Sequence, residues 1–374
     1  MGHPPRAAVM GTGSVGLAVA GVLSLSGFDV SLYELPQFAS SLEAIAEQGG
    51  IRVHGAYGEG LARPQLVTSD IGEAIAGRKI LLFCIPAYAD EAFTKACAPH
   101  LRDGQILVYL SCYGALRMSR YLQELDANAR VVTCETMSCF YVAGKCGVAD
   151  INVARKKEGL LFSAFPGRVT ADALQQVGQL FPDLVPAKNS LETSIHNTNP
   201  LFHPTSSVMN AGWIEATHGE FNFALEGFTP SVVRLQQATD QERLKVCKAL
   251  NLSVKSSEEW ILGMYHLPDM SSLRPNPSAS EKPRSNAPSD LSEHRYMLED
   301  VPYGLVPISS LAEQLHIPIP LIDSVIELSS IIVDDDLRLH GVTSQDLGLA
   351  GLNAKEMSGY LETGNAVKRT SHQQ

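Results

Sequence analysis

Six residues near the start of the chain, GTGSVG at positions 11–16, constrain its fold more than any other feature. They follow a predicted strand at residues 7–10 and open a predicted helix. In such a strand–turn–helix unit Gly11 permits a tight turn, Gly13 lets the backbone approach a pyrophosphate, and Gly16 lets the helix pack closely. The pattern predicts a dinucleotide site formed by Gly11, Thr12, Gly13, Ser14, Val15 and Gly16. The alternative is a glycine-rich structural turn.

The first half of the chain alternates short apolar runs with helical stretches, which is typical of a parallel sheet covered by helices on both faces. Strands are predicted at residues 7–10, 29–34, 79–84, 105–110, 130–134 and 160–164. Helices are predicted at residues 15–26, 89–98, 117–125 and 174–181. We therefore expect a Rossmann-type, doubly wound α/β domain over residues 1–188.

The second half carries helical signals, so we expect an all-α domain over residues 189–374. Capping side chains are predicted at three helix starts: Thr229 before Pro230, Thr239 with Glu242, and Ser256 with Glu259. One buried helical stripe is predicted at Leu321, Val325, Leu328 and Ile332. Residues 268–290 are rich in proline and serine, which predicts a loop, either a surface excursion or a cover over a substrate.

Composition narrows the class of protein. A chain of 374 residues is long enough for two cores. Its formal net charge of -11 argues against nucleic acid as a partner, and no apolar run reaches the roughly 18 to 20 residues of a membrane span. The seven cysteines show neither a CxxC pair nor metal-ligand spacing. We expect a cytoplasmic protein with reduced thiols, no metal and no membrane partner.

Glu34 ends the second predicted strand, where an acidic side chain accepts hydrogen bonds from ribose hydroxyls and repels a 2′-phosphate. No Lys or Arg lies between Glu34 and Arg52. NAD and NADH are therefore favoured over NADP and NADPH. Pro86 follows the predicted strand at residues 79–84, and we expect it near the nicotinamide and its ribose, because strand ends face the cleft in this fold.

Two clusters in the second half contain groups suited to catalysis. In the first, Asn199 before Pro200 predicts an N-cap, which places His203 four residues later on the same helical face. An imidazole suits proton transfer near neutral pH. The alternative is a purely structural cap and a core-facing ring.

The second cluster contains Arg295, Glu299 and Asp300. An arginine can hold a carboxylate through two parallel hydrogen bonds. Asp300 is spaced to orient an imidazole from the first cluster, and Glu299 equally so. The alternative is a set of structural or solvated ion pairs.

Glu135 and Thr136 come directly after the predicted strand at residues 130–134 and are expected to face the cleft. Glu135 would there attract the ammonium group or a basic side chain of an amino donor. A structural carboxylate is the alternative.

Four segments, GTGSVG, NTNPLFHP, ATDQERLKVCKALNL and HRYMLEDVPYGLVP, together resemble the opine dehydrogenases of the octopine and nopaline type, in order over roughly residues 7–352. The resemblance implies a dinucleotide-binding domain joined to an α-helical opine domain. It implies that an amino acid and a 2-oxo acid, commonly pyruvate, condense to an imine, which NADH or NADPH reduces. It also implies four roles: His203 as the catalytic histidine, Asp300 rather than Glu299 as its dyad partner, Arg295 as the carboxylate-binding residue, and Asn199 as the motif asparagine.

Two other functions stay open at this point. One is an NAD-dependent hydroxy-acid dehydrogenase, and the other is a dinucleotide sensor without enzymatic activity. The oligomeric state is also open, with a homodimer as one option.

Overall fold

The computed structural model describes residues 5–265 and 287–365 of the chain. The loop predicted at residues 268–290 therefore lies outside the described residues as far as position 286. No helix among the described residues is both long enough and apolar enough to cross a membrane.

The chain divides into two compact units. One runs to Ser194 and takes in the residues from Gly359 onward, and the other is Ile195–Ser358. The domain boundary expected between residues 188 and 189 stays a prediction from the sequence.

The first unit is built on two sheets. Its strands are β1 (Arg6–Met10), β2 (Asp29–Tyr33), β3 (Ile51–Gly55), β4 (Gly60–Ala62), β5 (Leu66–Thr68), β6 (Ile80–Phe83), β7 (Ile106–Tyr109), β8 (Val132–Thr136), β9 (Tyr141–Lys145), β10 (Asp150–Lys156), β11 (Leu161–Phe165) and β12 (Val185–Pro186). The helices that accompany them are α1 (Ser14–Leu25), α2 (Ser40–Gln48), α3 (Ile71–Ile75), α4 (Asp90–Cys97), α5 (Gly114–Glu124), α6 (Thr170–Val177) and α7 (Ser190–Ile195).

The large sheet has the strand order β12-β11-β8-β7-β6-β1-β2-β5. From β5 to β8 all neighbours pair in parallel, whereas β11 pairs antiparallel with β8. Strands β6 and β7 are buried along their whole length, as expected for a sheet covered on both faces. This is the doubly wound order of a Rossmann domain, so the predicted fold class is confirmed.

A second, four-stranded sheet, β4-β3-β10-β9, was not predicted. The sequence does indicate a strand at β10, because the apolar Ile151 and Val153 flank the polar Asn152. In the structure the two apolar residues are buried and Asn152 is exposed, which is the alternation of a half-buried strand. Strand β9 contains Gly144, which has low strand propensity. This sheet packs on α1 through β9, β10, β3 and β4, beside the helix that follows the glycine loop.

The second unit is helical, as predicted. The remaining helices are α8 (Asn199–Met209), α9 (Ala211–Thr217), α10 (Pro230–Ala249), α11 (Ser257–Tyr265), α12 (Arg295–Leu298), α13 (Val306–Gln314), α14 (Pro320–Val333) and α15 (Ala354–Thr363), of which α15 belongs to the first unit from Gly359 onward. Thr229 caps α10 by accepting a hydrogen bond from the Val232 amide. Ser256 and Glu259 form a reciprocal capping box at α11. Both predicted caps are confirmed.

The third predicted capping box is wrong, because Thr239 and Glu242 lie inside α10. The Glu242 carboxylate instead accepts hydrogen bonds from the amides of Leu321 and Ile322, at the start of α14.

The predicted stripe on α14 is also shifted. Its buried residues are Ile322, Val325, Ile326 and Ser329, whereas Leu328 is exposed. Apolar residues lie on more than one face of α14, and the polar Ser329 is among the buried residues, so the spacing of apolar residues alone could not choose the buried stripe.

Candidate active site

The glycine loop joins β1 to α1 at the carboxyl edge of the large sheet. Gly11 has a φ of +97°, and a Cβ on it would lie 2.6 Å from Cγ2 of Ile85. A Cβ on Gly16 would lie 1.9 Å from the carbonyl oxygen of Gly11. Both positions therefore require glycine.

The start of α1 fits a pyrophosphate. Gly13 is the N-cap of this helix, and no side chain of the described residues caps its first turn. Gly13 is exposed, and a Cβ on it would meet no atom within 4 Å. The amides that begin at Ser14 and Val15 therefore lie at the positive end of a helix, beside open space.

Glu34, directly after β2, binds the glycine loop through hydrogen bonds. Its Oε2 accepts hydrogen bonds from the Thr12 amide and the Thr12 hydroxyl, both at 2.8 Å, and its Oε1 accepts one from the Leu35 amide at 2.9 Å. The Thr12 hydroxyl also lies 2.7 Å from the Ser41 hydroxyl. The carboxylate is buried, and since a carboxylate offers about four acceptor positions, one more donor can still bind.

Lys145, at the end of β9, places a positive charge near Glu34. The sequence directly after Glu34 contains no such cation. Lys145 is exposed, but desolvation still lowers its pKa, and the Glu34 carboxylate opposes that shift. The unpredicted second sheet thus brings a positive charge within electrostatic range of the acid expected to select the cofactor.

Pro86 lies at the same carboxyl edge. It precedes a short 3₁₀ turn, Ala87–Ala89, and is half-buried. Its neighbour Ile85 provides the methyl group closest to Gly11. The loop after β6 therefore borders the glycine loop.

The structure corrects the placement of Glu135 and Thr136, which are the last two residues of β8 rather than the first residues after it. Glu135 is wholly buried. Its carboxylate accepts hydrogen bonds from the Ala115 amide at 3.0 Å and from the Ser194 hydroxyl. The Thr136 hydroxyl donates to the carbonyl oxygen of Ser138.

Burial raises the pKa of Glu135 to about 8, although the hydrogen bonds from Ser194 and Ala115 act in the opposite direction. Asp90 raises this pKa further, and Arg117 lowers it. Sequence reasoning did not detect Asp90 and Arg117, a buried ion pair at 3.3 Å, because they are 27 residues apart and carry no local motif.

In the second unit, Nδ1 of His203 lies 2.7 Å from Oδ2 of Asp300. A carboxylate only accepts hydrogen bonds, so Nδ1 carries the proton and Nε2 is the basic nitrogen. Asp300 is buried, and the His203 side chain is 21% exposed. His203 is thus an oriented imidazole with some access to solvent.

The two candidate clusters meet where a glycine packs closely on a proline. A Cβ on Gly304 would lie 2.3 Å from Cγ of Pro200, so glycine lets the turn after Asp300 pack on the start of α8. The N-cap of α8 is Thr198, and Asn199 is its first helical residue. The prediction of Asn199 as the cap is therefore wrong by one position, which is the usual uncertainty at a helix end. Asn199 still precedes His203 by four residues.

Arg295 and Glu299 form an ion pair one helical turn apart, with Nε of Arg295 3.0 Å from Oε2 of Glu299. The Arg295 side chain is 47% exposed. The two neighbouring acids therefore have different partners: Glu299 binds the arginine, and Asp300 binds the histidine.

Two further residues of the HRY segment lie beside this dyad, and sequence reasoning assigned them no role: Tyr296 contacts His203, and His294 contacts Tyr296. The Tyr296 ring is stacked on the His203 imidazole, with centroids 3.9 Å apart and planes at 21°. His294 meets Tyr296 edge-on at 4.3 Å. The only sequence signal was the position of both residues beside Arg295.

Comparisons with known proteins cover both units. Residues 186–333 match the family described as NAD/NADP octopine/nopaline dehydrogenase, alpha-helical domain, and residues 6–130 match the NAD-dependent glycerol-3-phosphate dehydrogenase N-terminus. An opine dehydrogenase of Arthrobacter sp. (strain 1C) is 33% identical over 352 residues, which make up 93% of this chain and 96% of that protein. The chain belongs to the opine dehydrogenase family. It is an NAD(P)-dependent oxidoreductase, and the predicted resemblance is confirmed.

Solved structures of octopine dehydrogenase share the fold of this opine dehydrogenase. One, with NADH and pyruvate, has a TM-score of 0.73 at 20% identity and covers 98% of this chain and 100% of that chain. Another, with NADH and L-arginine, has a TM-score of 0.73 at 22% identity and the same coverage.

Proposed function

We propose that this opine dehydrogenase condenses the amino group of an amino acid with a 2-oxo acid, pyruvate in the first instance, reduces the product with NADH to an N-(carboxyalkyl)amino acid, and catalyses the reverse oxidation. The observation that carries the proposal is the 2.7 Å contact between Nδ1 of His203 and Oδ2 of Asp300. The octopine dehydrogenase complexes with pyruvate and with L-arginine support the choice of substrates.

His203 moves the protons in this proposal. When a neutral amine adds to the carbonyl carbon, nitrogen must lose protons and the carbonyl oxygen must gain them before it leaves as water. Nε2 of His203 accepts and returns these protons. Asp300 holds the ring in the Nδ1–H tautomer and offsets the charge of the imidazolium. Asn199, one helical turn before His203, completes the motif.

Arg295 holds the carboxylate of the oxo acid. Its guanidinium offers a planar fork that matches two carboxylate oxygens. The ion pair with Glu299 through Nε fixes the side chain at one end. A fixed carboxylate aligns the carbonyl carbon for attack, which lowers the entropic part of the barrier.

The dinucleotide is held by the glycine loop, residues 11–16, with Glu34 on the adenosine ribose and Pro86 at the nicotinamide half. When bound, NADH supplies the hydride that reduces the imine carbon. NADH is the preferred form because the buried Glu34 carboxylate repels a 2′-phosphate, and Lys145 moderates that repulsion.

Direct recognition of the amino donor by Glu135 and Thr136 stays a prediction. The complete burial of Glu135 and its bonds to Ala115 and Ser194 support the alternative of a structural carboxylate. A cytoplasmic location and a homodimer also stay predictions.

The test is a screen of NADH consumption in which pyruvate and other 2-oxo acids are crossed with the standard amino acids, and product masses are recorded. We expect consumption only when both substrates are present, with a product mass equal to their sum less one oxygen atom. Consumption with the oxo acid alone would indicate a hydroxy-acid dehydrogenase. Tight NADH binding without turnover on the whole panel would indicate a sensor.

A further inference from the structure

The His203 imidazole has contacts of two kinds within the second unit. Asp300 binds its Nδ1 edge, and the Tyr296 ring lies nearly parallel to its plane at a centroid distance of 3.9 Å. A single hydrogen bond at Nδ1 still tolerates some rotation of the ring about its Cβ–Cγ bond, because hydrogen-bond angles vary widely. A flat contact on the ring face removes that rotation, since offset stacking has a preferred geometry.

Tyr296 is itself held in place. Nδ1 of His294 accepts a hydrogen bond from the Tyr296 amide at 3.2 Å, and its ring meets the Tyr296 ring at 76°. Phe223, which is buried, stacks on Tyr296 at 5.9 Å and 24°. Tyr296 is therefore constrained by its backbone and by its ring.

His294 and Tyr296 both stay neutral near pH 7. Burial, followed by the charges of Arg295 and His203, lowers the pKa of His294 to about 4, although Asp300 opposes the shift. His294 thus keeps an acceptor nitrogen for the Tyr296 amide. Burial also raises the pKa of Tyr296, so its hydroxyl does not ionise near neutral pH.

We infer that Tyr296 is a positioning residue for His203: its ring, anchored by His294, fixes the plane of the imidazole so that Nε2 keeps one direction through the proton transfers. The inference rests on the proposed function, in which Nε2 of His203 is the proton-transferring atom. It assigns the contribution to the ring face and not to the phenolic hydroxyl.

The test compares Tyr296→Leu, which removes the ring, with Tyr296→Phe, which keeps it. We expect kcat to fall about two- to ten-fold in Tyr296→Leu, the range of one aromatic contact, with an unchanged KM for NADH. Tyr296→Phe should restore kcat to near the parent value. Trp213→Leu is the matched control, because Trp213 is also stacked, on Phe221 at 4.0 Å and 8°, in the same unit.

A double-mutant cycle separates positioning from simple destabilisation. Adding Tyr296→Leu to His203→Ala should cost no further activity, because no imidazole is left to orient. The nuclear magnetic resonance signal of the His203 ring should also shift in Tyr296→Leu and not in Trp213→Leu, since a stacked ring shields its neighbour. If Tyr296→Leu does not fold, Tyr296→Met, which also lacks a ring face, takes its place in the cycle.

Equal losses in the parent and His203→Ala backgrounds would overturn the inference, and so would a loss in Tyr296→Phe as large as in Tyr296→Leu. Failure of the proposed function is distinguishable, because it appears as unchanged turnover in His203→Ala itself.

Discussion

At the scale of single residues, the neighbouring acids Glu299 and Asp300 show what spacing can and cannot decide. The chemistry of the second cluster was readable from its residue types, but either acid could have served the imidazole. Glu299 lies one turn from Arg295 on the same helical face and pairs with it, whereas Asp300 reaches His203, 97 residues away in sequence. No local pattern spans such a separation, so only the folded structure shows which acid meets the ring.

The first prediction concerns His203. In His203→Ala we expect turnover to fall by about 10² to 10⁴, the contribution of a positioned acid–base group. NADH affinity should be unchanged, because the glycine loop and Glu34 are untouched. Steady-state kinetics and fluorescence titration with NADH measure the two quantities. His340→Ala, at an exposed histidine of the same unit, should match the parent, and a turnover equal to the parent in His203→Ala would rule out the mechanism.

The second prediction concerns Arg295. In Arg295→Lys we expect KM for the oxo acid to rise about ten-fold or more, because a point charge cannot reproduce the two parallel hydrogen bonds of the fork. The KM for NADH should stay constant. Arg338→Lys is the control, since Arg338 also binds carboxylates of its own unit, Asp323 and Glu327. If KM for the oxo acid changes equally in the two variants, Arg295 does not bind the carboxylate of the oxo acid.

At the scale of helices and strands, a local capping pattern was reliable only where the partner it bound was also local. Ser256 and Glu259 cap a helix three residues apart, so the sequence alone predicted the box correctly. Glu242 has the same local pattern, but its partners are the amides of Leu321 and Ile322, about 80 residues away. The pattern correctly indicates that Glu242 accepts hydrogen bonds from the first amides of a helix, but it does not indicate which helix.

Strand β9 provides the third prediction, since it brings Lys145 near Glu34. In Lys145→Met we expect the ratio of kcat/KM for NADH to that for NADPH to rise about two- to five-fold, because an exposed charge interaction is worth up to roughly 1 kcal/mol. The control Lys79→Met removes a cation directly before β6, at the amino end of that strand, and should leave the ratio unchanged. Activity measured with both cofactors gives the ratio. The same ratio in Lys145→Met and the parent would show that Lys145 does not affect the 2′ position.

At the scale of the whole molecule, alternation of strands and helices was sufficient to predict the doubly wound sheet and the helical second half. The buried polar cluster that contains Glu135 could not be predicted in this way. Its members Asp90, Arg117 and Ser194 come from α4, α5 and α7, and a buried charge is recognisable only once its surroundings are known. Because burial raises the pKa of Glu135, this cluster also makes folding stability depend on pH.

The fourth prediction follows from the raised pKa of Glu135. Glu135 has a pKa of about 8 in the folded chain and about 4.3 in an unfolded one. Between these values the folded state holds a proton that the unfolded state has released, so this group's contribution to stability is full below the lower pKa and is lost as pH rises through the upper one. In Glu135→Gln, whose amide can still accept from Ala115 and donate to Ser194, the free energy of unfolding should rise relative to the parent as pH increases from about 5 to 8. Urea denaturation at several pH values measures this difference.

Asp103→Asn is the opposite control, because backbone and side-chain hydrogen bonds from Arg130 lower the pKa of Asp103. The difference in unfolding free energy between this variant and the parent should stay constant from about pH 5 to 8 and change only in acid. A constant difference for Glu135→Gln would mean that the buried carboxyl does not hold its proton into the neutral range.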